Sequence, residues 1–414
     1  MTKVGLPTQL DPFEPGFFAD PYEHDAAARA GGVAQPSDFG GWIVFGHDSV
    51  LQVLRDPTLS VEEHNVEPDD LRRAAEAQLE ALGGDATEMR NRSMLDLDPP
   101  DHDRLRRLVA KAFNPAMVRA LVPHVEALVE DALDTMAARG GDADVIADLA
   151  FPLPFTVISE MLGMPDTDRA QLRDWSHAMV KTLDPILTDD EARAALDASV
   201  HMVDHVRAAI EHKRREPADD LLTKLTAAED SGDVLTEDEL VTQVVLLYLA
   251  GHETTVNLIG NGTLALLANP DQLARLRAEA ELEENAVEEL LRYDSPVQFS
   301  RRITTAPLDV DGTTIEAGQF LWTCLGSANR DPAFWGPTAD ELDLGRDGAA
   351  QHVSFGSGVH HCLGAALARI EARAAIPALV RRFPAIRLAD PGAPPAWNGR
   401  LVLRGLDRLS VTLS

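Results

Sequence analysis

The chain reads as a mainly α-helical protein with a small β portion. Apolar residues recur at threes and fours through long stretches, strand-like runs are short, and prolines punctuate the pattern at Pro99-Pro100, Asn269-Pro270, Ser295-Pro296 and 391–395. The helical stretches are 116–139, 192–215, 235–267, 273–293 and 363–383. The strand-like runs are 42–45, 302–305, 319–323 and 401–411. Segments 78–92 and 183–191, with their acidic, glycine or proline residues, read as mobile connections and, in an enzyme, as candidates for a substrate entrance.

One helix stands apart. Thr236-Glu-Asp-Glu239 has the spacing of a capping box, and the periodic pattern then runs to Asn269-Pro270, long enough to cross a domain at about 1.5 Å per residue. Its middle, 244–250, is apolar nearly all round, so it belongs at the centre of the molecule.

With 414 residues, 45% of them hydrophobic, the chain can bury one large core or two modest ones. No composition break, low-complexity tract, flexible linker or solenoid repeat divides it, so residues 1–414 are read as one domain. A net charge of −31 argues against nucleic acid as a partner. The only cysteines, Cys324 and Cys362, fit a reducing compartment, and the N-terminus has neither a signal-peptide apolar region nor a membrane span. A cytosolic monomer with no membrane partner is expected. Arginines and a lysine nevertheless gather in 102–120 and 362–387, which makes either a docking patch for an acidic partner or ordinary solvated helix faces.

The chemistry concentrates around Cys362, in Phe355-Gly-Ser-Gly-Val-His-His-Cys-Leu-Gly364. An isolated cysteine is commonly a buried, inert thiol. Here glycines let the backbone pass close beneath a flat cofactor, amides can point at the sulfur, and a thiolate is a soft, electron-donating metal ligand. A second anomaly is Ala250-Gly-His-Glu-Thr-Thr255 in the middle of the long helix. Gly251 should cost about 1 kcal/mol relative to alanine there, and a carboxylate and hydroxyls in an apolar core need partners. Breaches of this kind are expected at functional sites, although threonines can bond within a helix and a glycine can permit close packing.

Glu289-Leu-Leu-Arg292 places opposite charges on one helix face. His102 and Arg106, four apart after Pro99-Pro100, also share a face. Arg301 and Arg302 should point to opposite sides of an extended segment.

Taken in their order along the chain, the segments resemble the motifs of the cytochrome P450 haem-thiolate monooxygenases, and the resemblance runs from about Asp11 to the C-terminus. It implies a single-domain fold with haem b between the long central helix and the cysteine loop with its following helix. By that resemblance Cys362 is the proximal iron ligand, in a loop that includes Phe355, Gly356, Gly358 and Gly364. His102, Arg106, Arg302 and His360 would bind the haem propionates. Ala250 and Gly251 would line the oxygen groove, Thr254 would hydrogen-bond the oxygen being reduced, and Glu253 would relay protons to it; His252 has no direct part. Glu289, Arg292 and Arg346 would form a structural cluster, although Leu342 stands where the family often has an aromatic. Met94, Leu246, Leu249, Val297, Gln298, Val402 and Leu403 would wall the substrate pocket, with Gln298 its obvious polar contact.

The activity implied is insertion of one atom of O2 into a small hydrophobic organic substrate, usually as a hydroxylation, with electrons from a separate ferredoxin and ferredoxin reductase. Two other readings are a peroxide-driven or rearranging haem-thiolate enzyme, which often loses the acid–alcohol pair, and a non-catalytic haem sensor or electron carrier.

Overall fold

In the structure, a computed structural model, residues 10–12, 14, 16–37, 40–66, 93–164, 169–185, 187–230 and 232–413 are described. The expected mobile segment 78–92 lies outside them. The longer helices are α1 (Pro21–Ala30), α2 (His47–Arg55), α3 (Asp101–Ala112), α4 (Val122–Arg139), α5 (Pro152–Leu162), α6 (Arg169–Val180), α7 (Asp189–Arg215), α8 (Glu237–Ala268), α9 (Pro270–Ala278), α10 (Glu283–Tyr293) and α11 (Ala365–Arg382). A four-stranded sheet of β1 (Ala34–Pro36), β2 (Trp42–Val44), β3 (Phe299–Ile303) and β4 (Phe320–Cys324) has the order β1-β2-β4-β3, with only β2 and β4 parallel.

Thr236 begins α8 by accepting from the Glu239 amide while the Glu239 carboxylate accepts from the Thr236 amide, so two helix-end donors are satisfied reciprocally. From there α8 runs through the middle of the molecule against α5, α7, α10 and α11. Small residues set these approaches: a Cβ at Gly251 would lie 2.9 Å from Ile158, and one at Gly260 would lie 2.6 Å from the Ile146 Cδ1. The main core joins α8 to α4, α5, α7 and α11 through residues such as Val129, Phe155, Val206, Val244, Tyr248 and Leu379.

The sequence pattern misplaces several boundaries. The stretch 116–139 is two helices, Pro115–Ala120 and α4, because Pro123 cannot continue a helix hydrogen-bond ladder but fits the first turn of a new one. The stretch 273–293 divides into α9 and α10 about a 3-10 turn at Ala280–Leu282, where Glu279, Glu281, Glu283 and Glu284 give like charges and no apolar stripe. No single strand spans 401–411. Leu403 bridges to Val297, a Cβ at Gly405 would sit 1.9 Å from the Asn257 Oδ1, and Leu406–Arg408 and Ser410–Thr412 then join different sheets. The connection over 183–191 is shorter than expected, since Thr188 and Glu191 form a second capping box that starts α7 at Asp189.

Candidate active site

Between the cysteine loop and the middle of α8 lies a cavity of about 1770 Å³, and Cys362 forms part of its floor. The thiol is set deep in the protein, yet its surface opens into this space. Its own amide donates to the Phe355 carbonyl at 2.9 Å, closing the loop. Burial pushes the thiol above its ordinary range, while the amides of Gly364 and Ala365 and the cations Arg106 and Arg369 pull it back. Gly358 has φ +73°, and a Cβ there would meet the Leu54 carbonyl oxygen at 2.5 Å, so only glycine fits. Phe355, Gly356, His360 and Gly364 also line the cavity. Beneath Phe355, the Arg369 guanidinium stacks 4.5 Å from the ring and pairs with Glu288 at 2.6 and 2.8 Å.

A group of cations lies along one edge of this floor. Arg301 is neutralised by Glu63 at 2.7 Å and by Asp96, whereas Arg302 on the next residue donates, among the described residues, only to the carbonyls of Arg301 and Leu54. Burial lowers Arg302 to about 10, and His360 is pushed down to about 3 by burial and by Arg302, His102 and Arg106. Arg106 donates to the His361 carbonyl at 2.6 Å. His102 is not on the cavity wall. Its ring packs 4.3 Å from that of His360, its Nδ1 lies 2.9 Å from Asp103, and its buried Nε2 has no partner among the described residues. Among the described residues no carboxylate is ion-paired with Arg106 or Arg302. A buried Arg302 and a half-buried Arg106 left this way on the cavity wall call for an anionic occupant. The two propionates of haem supply that charge, and the thiolate-bearing glycine loop supplies the axial ligand, so these residues fit haem.

The opposite wall is built from α8. Ala250, Gly251, Glu253 and Thr254 line the cavity, and the Thr254 hydroxyl donates to the Ala250 carbonyl at 3.3 Å. Gly251 has a packing duty as well as a lining one, because Ile158 on α5 occupies the place of its side chain. His252 faces away, buried among Phe151, Phe155 and Tyr248, with Nδ1 2.8 Å from the Tyr248 carbonyl. Glu253 accepts from Arg400 at 3.0 Å, and Arg400 also reaches His177 at 2.7 Å. Met94, Leu246, Leu249, Val297, Val402 and Leu403 all border the cavity. Gln298 does not. It is 3% exposed and donates to the Tyr22 hydroxyl and the Ser295 carbonyl, and its side chain fills the space above Gly326. The expected polar substrate contact is therefore a core residue, because an amide beside two buried oxygens gains more by satisfying them than by facing an apolar cavity.

Residues 76–404 match the family model for cytochrome P450. Cytochrome P450 107B1 of Saccharopolyspora erythraea is 41% identical over 99% of both chains. The cytochrome P450 monooxygenase PikC of Streptomyces venezuelae is 42% identical over 95% of this chain and 91% of that one. The crystal structure of myxobacterial CYP267B1 in complex with myristic acid superposes with a TM-score of 0.88 at 36% identity, covering 97% of this chain and 98% of that one. The chain belongs to the cytochrome P450 family. Haem is its cofactor, the Cys362 thiolate is the proximal iron ligand, and the protein is a haem-thiolate monooxygenase.

In this P450 the Glu289–Arg292 pair is fully buried, with Nε to Oε2 at 2.7 Å and Nη2 to Oε1 at 2.8 Å. Arg346 adds a bond to Glu289 Oε1 at 3.1 Å, and the Asp343 amide adds another at 2.9 Å. Arg292 also ties down the carbonyls of Asn329, Ala339 and Glu341, so the cluster fixes the chain leading into the cysteine loop. Several groups around the P450 site carry no sequence signature: Arg400, His177, the Glu288–Arg369–His352 network and Glu371. Glu371 on α11 is 1% exposed and pushed up to about 8 by burial. The Thr255 hydroxyl lies close to it, yet among the described residues neither carboxyl oxygen has a partner in hydrogen-bond geometry. Such residues come from segments distant in sequence, and only their meeting gives them meaning.

Proposed function

We propose that this P450 hydroxylates a largely apolar organic molecule, using electrons from a ferredoxin and its reductase in the cytoplasm. The observation that carries the substrate class is the cavity. Its space of about 1770 Å³ is shared with haem, since Cys362, Phe355 and Gly364 line it too, and what selects the substrate is the apolar wall beside Thr254, made of Leu246, Leu249, Val297, Val402 and Leu403. The myxobacterial relative holds a fatty acid, myristic acid, which is apolar in the same sense.

Bound haem supplies the activation of dioxygen, with thiolate donation favouring cleavage of the oxygen–oxygen bond. The chain's own residues do the rest. His102, Arg106, Arg302 and His360 hold the propionate edge, while the amides of Gly364 and Ala365 moderate the charge on the Cys362 sulfur. Thr254 turns its hydroxyl from the Ala250 carbonyl toward the reacting oxygen, and Glu253 passes it protons from the solvent side. The apolar wall orients the substrate and excludes water. A ferredoxin would dock on the cysteine side, where the segments 102–120 and 362–387 gather basic residues on an otherwise acidic chain.

A spectral titration of the ferric protein tests the substrate class. Macrocyclic polyketides, steroids and long-chain fatty acids should shift the haem from low to high spin, and small polar aromatics should not. A preference for small polar compounds would overturn the proposal.

A further inference from the structure

Arg400 carries more than one acid–base contact, and the space behind it explains how it is held. Arg400 is 5% exposed. Its Nη1 donates to the Glu253 Oε1 at 3.0 Å, and its Nη2 lies 2.7 Å from the His177 Nδ1, so one guanidinium ties α8, α6 and the loop after residue 397 together. Its Nε is buried and has no partner among the described residues. Across a small gap stands Asp25 of α1, 1% exposed, whose Oδ1 accepts from the Cys324 thiol at 3.7 Å and whose Oδ2 has no partner among the described residues. Asp25 and Arg400 both line this gap, which has a volume of about 10 Å³. Arg404 borders it too, but its three nitrogens already serve Asp294 and the carbonyls of Phe18 and Ala19.

A buried donor and a buried acceptor left unpaired on the same gap are each unfavourable, and the gap is about the smallest that admits one water. We propose that Arg400 is a positioning residue for Glu253, and that one water, accepting from Arg400 Nε–H and donating to Asp25 Oδ2, fixes its guanidinium from behind. Held at Nε by this water and at Nη2 by the imidazole, the guanidinium can present Nη1 to Glu253 in only one orientation. Glu253 is thereby kept at the cavity wall beside Thr254. The inference rests on Glu253 being the proton-relay acid, as proposed above.

The test has a structural and a kinetic arm. A high-resolution crystal structure of the haem-loaded protein should show one ordered water within hydrogen-bond distance of both Arg400 Nε and Asp25 Oδ2; an empty gap overturns the water bridge. For the kinetic arm, the haem-loaded protein consumes O2 with a plant-type ferredoxin and its reductase, without added substrate, in H2O and in D2O. Glu253→Gln should raise the solvent isotope effect about two-fold or more, Arg400→Gln should do the same, and the double variant should show no larger effect than either. Arg400→Lys, which keeps the charge, should recover part of the wild-type value, and it serves if Arg400→Gln does not fold. Effects that multiply in the double variant, or an Arg400 variant that behaves as wild type while Glu253→Gln does not, would overturn the positioning role and leave the relay standing. If Glu253→Gln itself has no effect, the relay reading falls and the positioning role falls with it.

Discussion

At the scale of single residues, Cys362 and Thr254 face each other across the cavity and make opposite demands on a substitution. Cys362→Ser should abolish the thiolate-type Soret band of the reduced carbon monoxide complex, because a hydroxyl does not donate to iron as a thiolate does. A histidine-type spectrum in the unaltered protein would refute the ligand assignment. Thr254→Ala should keep that band and instead raise peroxide released per electron pair, measured against product, since only the distal proton donor is lost. Unchanged coupling would remove Thr254 from the relay. Both residues were legible from local pattern, as each breaks the composition of its segment. Gln298 was misread for the converse reason: a lone polar residue in an apolar run says that a partner exists without saying where.

At the scale of elements, the Glu289–Arg292–Arg346 cluster couples α10 to the chain that enters the cysteine loop. Removing one partner strands a buried charge. Arg292→Leu should therefore cost about 3–5 kcal/mol in chemical denaturation and weaken haem retention, more than any exposed arginine on α11. The α8–α5 contact offers a subtler check. Gly251→Ala gains helix propensity but drives a methyl to 2.9 Å from Ile158, so a net loss of about 1 kcal/mol is expected, recovered in part by Ile158→Val. If thermal unfolding shows Gly251→Ala to be stabilising, the packing account of this glycine fails. Element types were largely readable from periodicity, as the capping box of α8 illustrates. Boundaries at Pro123 and near Glu279 were not, because apolar spacing continues across a break that proline or like charges impose.

Over the whole molecule, stability should depend on pH through a few buried acids. Burial raises Glu371 to about 8 and Asp25 to about 7, so their neutral forms favour the fold at acid pH, and that contribution is lost as pH rises through those values. Glu288, bound by Arg369 and His352, is lowered to about 2 and acts in the opposite sense: its contribution is present above the ordinary carboxylate range and is lost as pH falls toward 2. A maximum of stability near about pH 5 follows, with a decline toward pH 8. Glu371→Gln should flatten that decline in urea denaturation, and an unchanged slope would mean that Glu371 is ionised in the folded protein.

The kind of chemistry was settled within short segments. A thiol among glycines and an acid–alcohol pair inside an apolar helix each announce themselves within ten residues, because iron ligation and proton transfer require particular groups at fixed spacing. Which charged group stands alone was settled only by folding. Arg301 and Arg302 are neighbours in sequence and both border the cavity, yet β3 sends one to Glu63 and Asp96 and leaves the other without a paired carboxylate among the described residues. Likewise Asp25, His177, Glu253 and Arg400 come from four distant parts of the chain and meet only because α1, α6, α8 and the C-terminal loop pack together. Charge pairing and burial depend on distance through space, and separation along the chain does not contain that information.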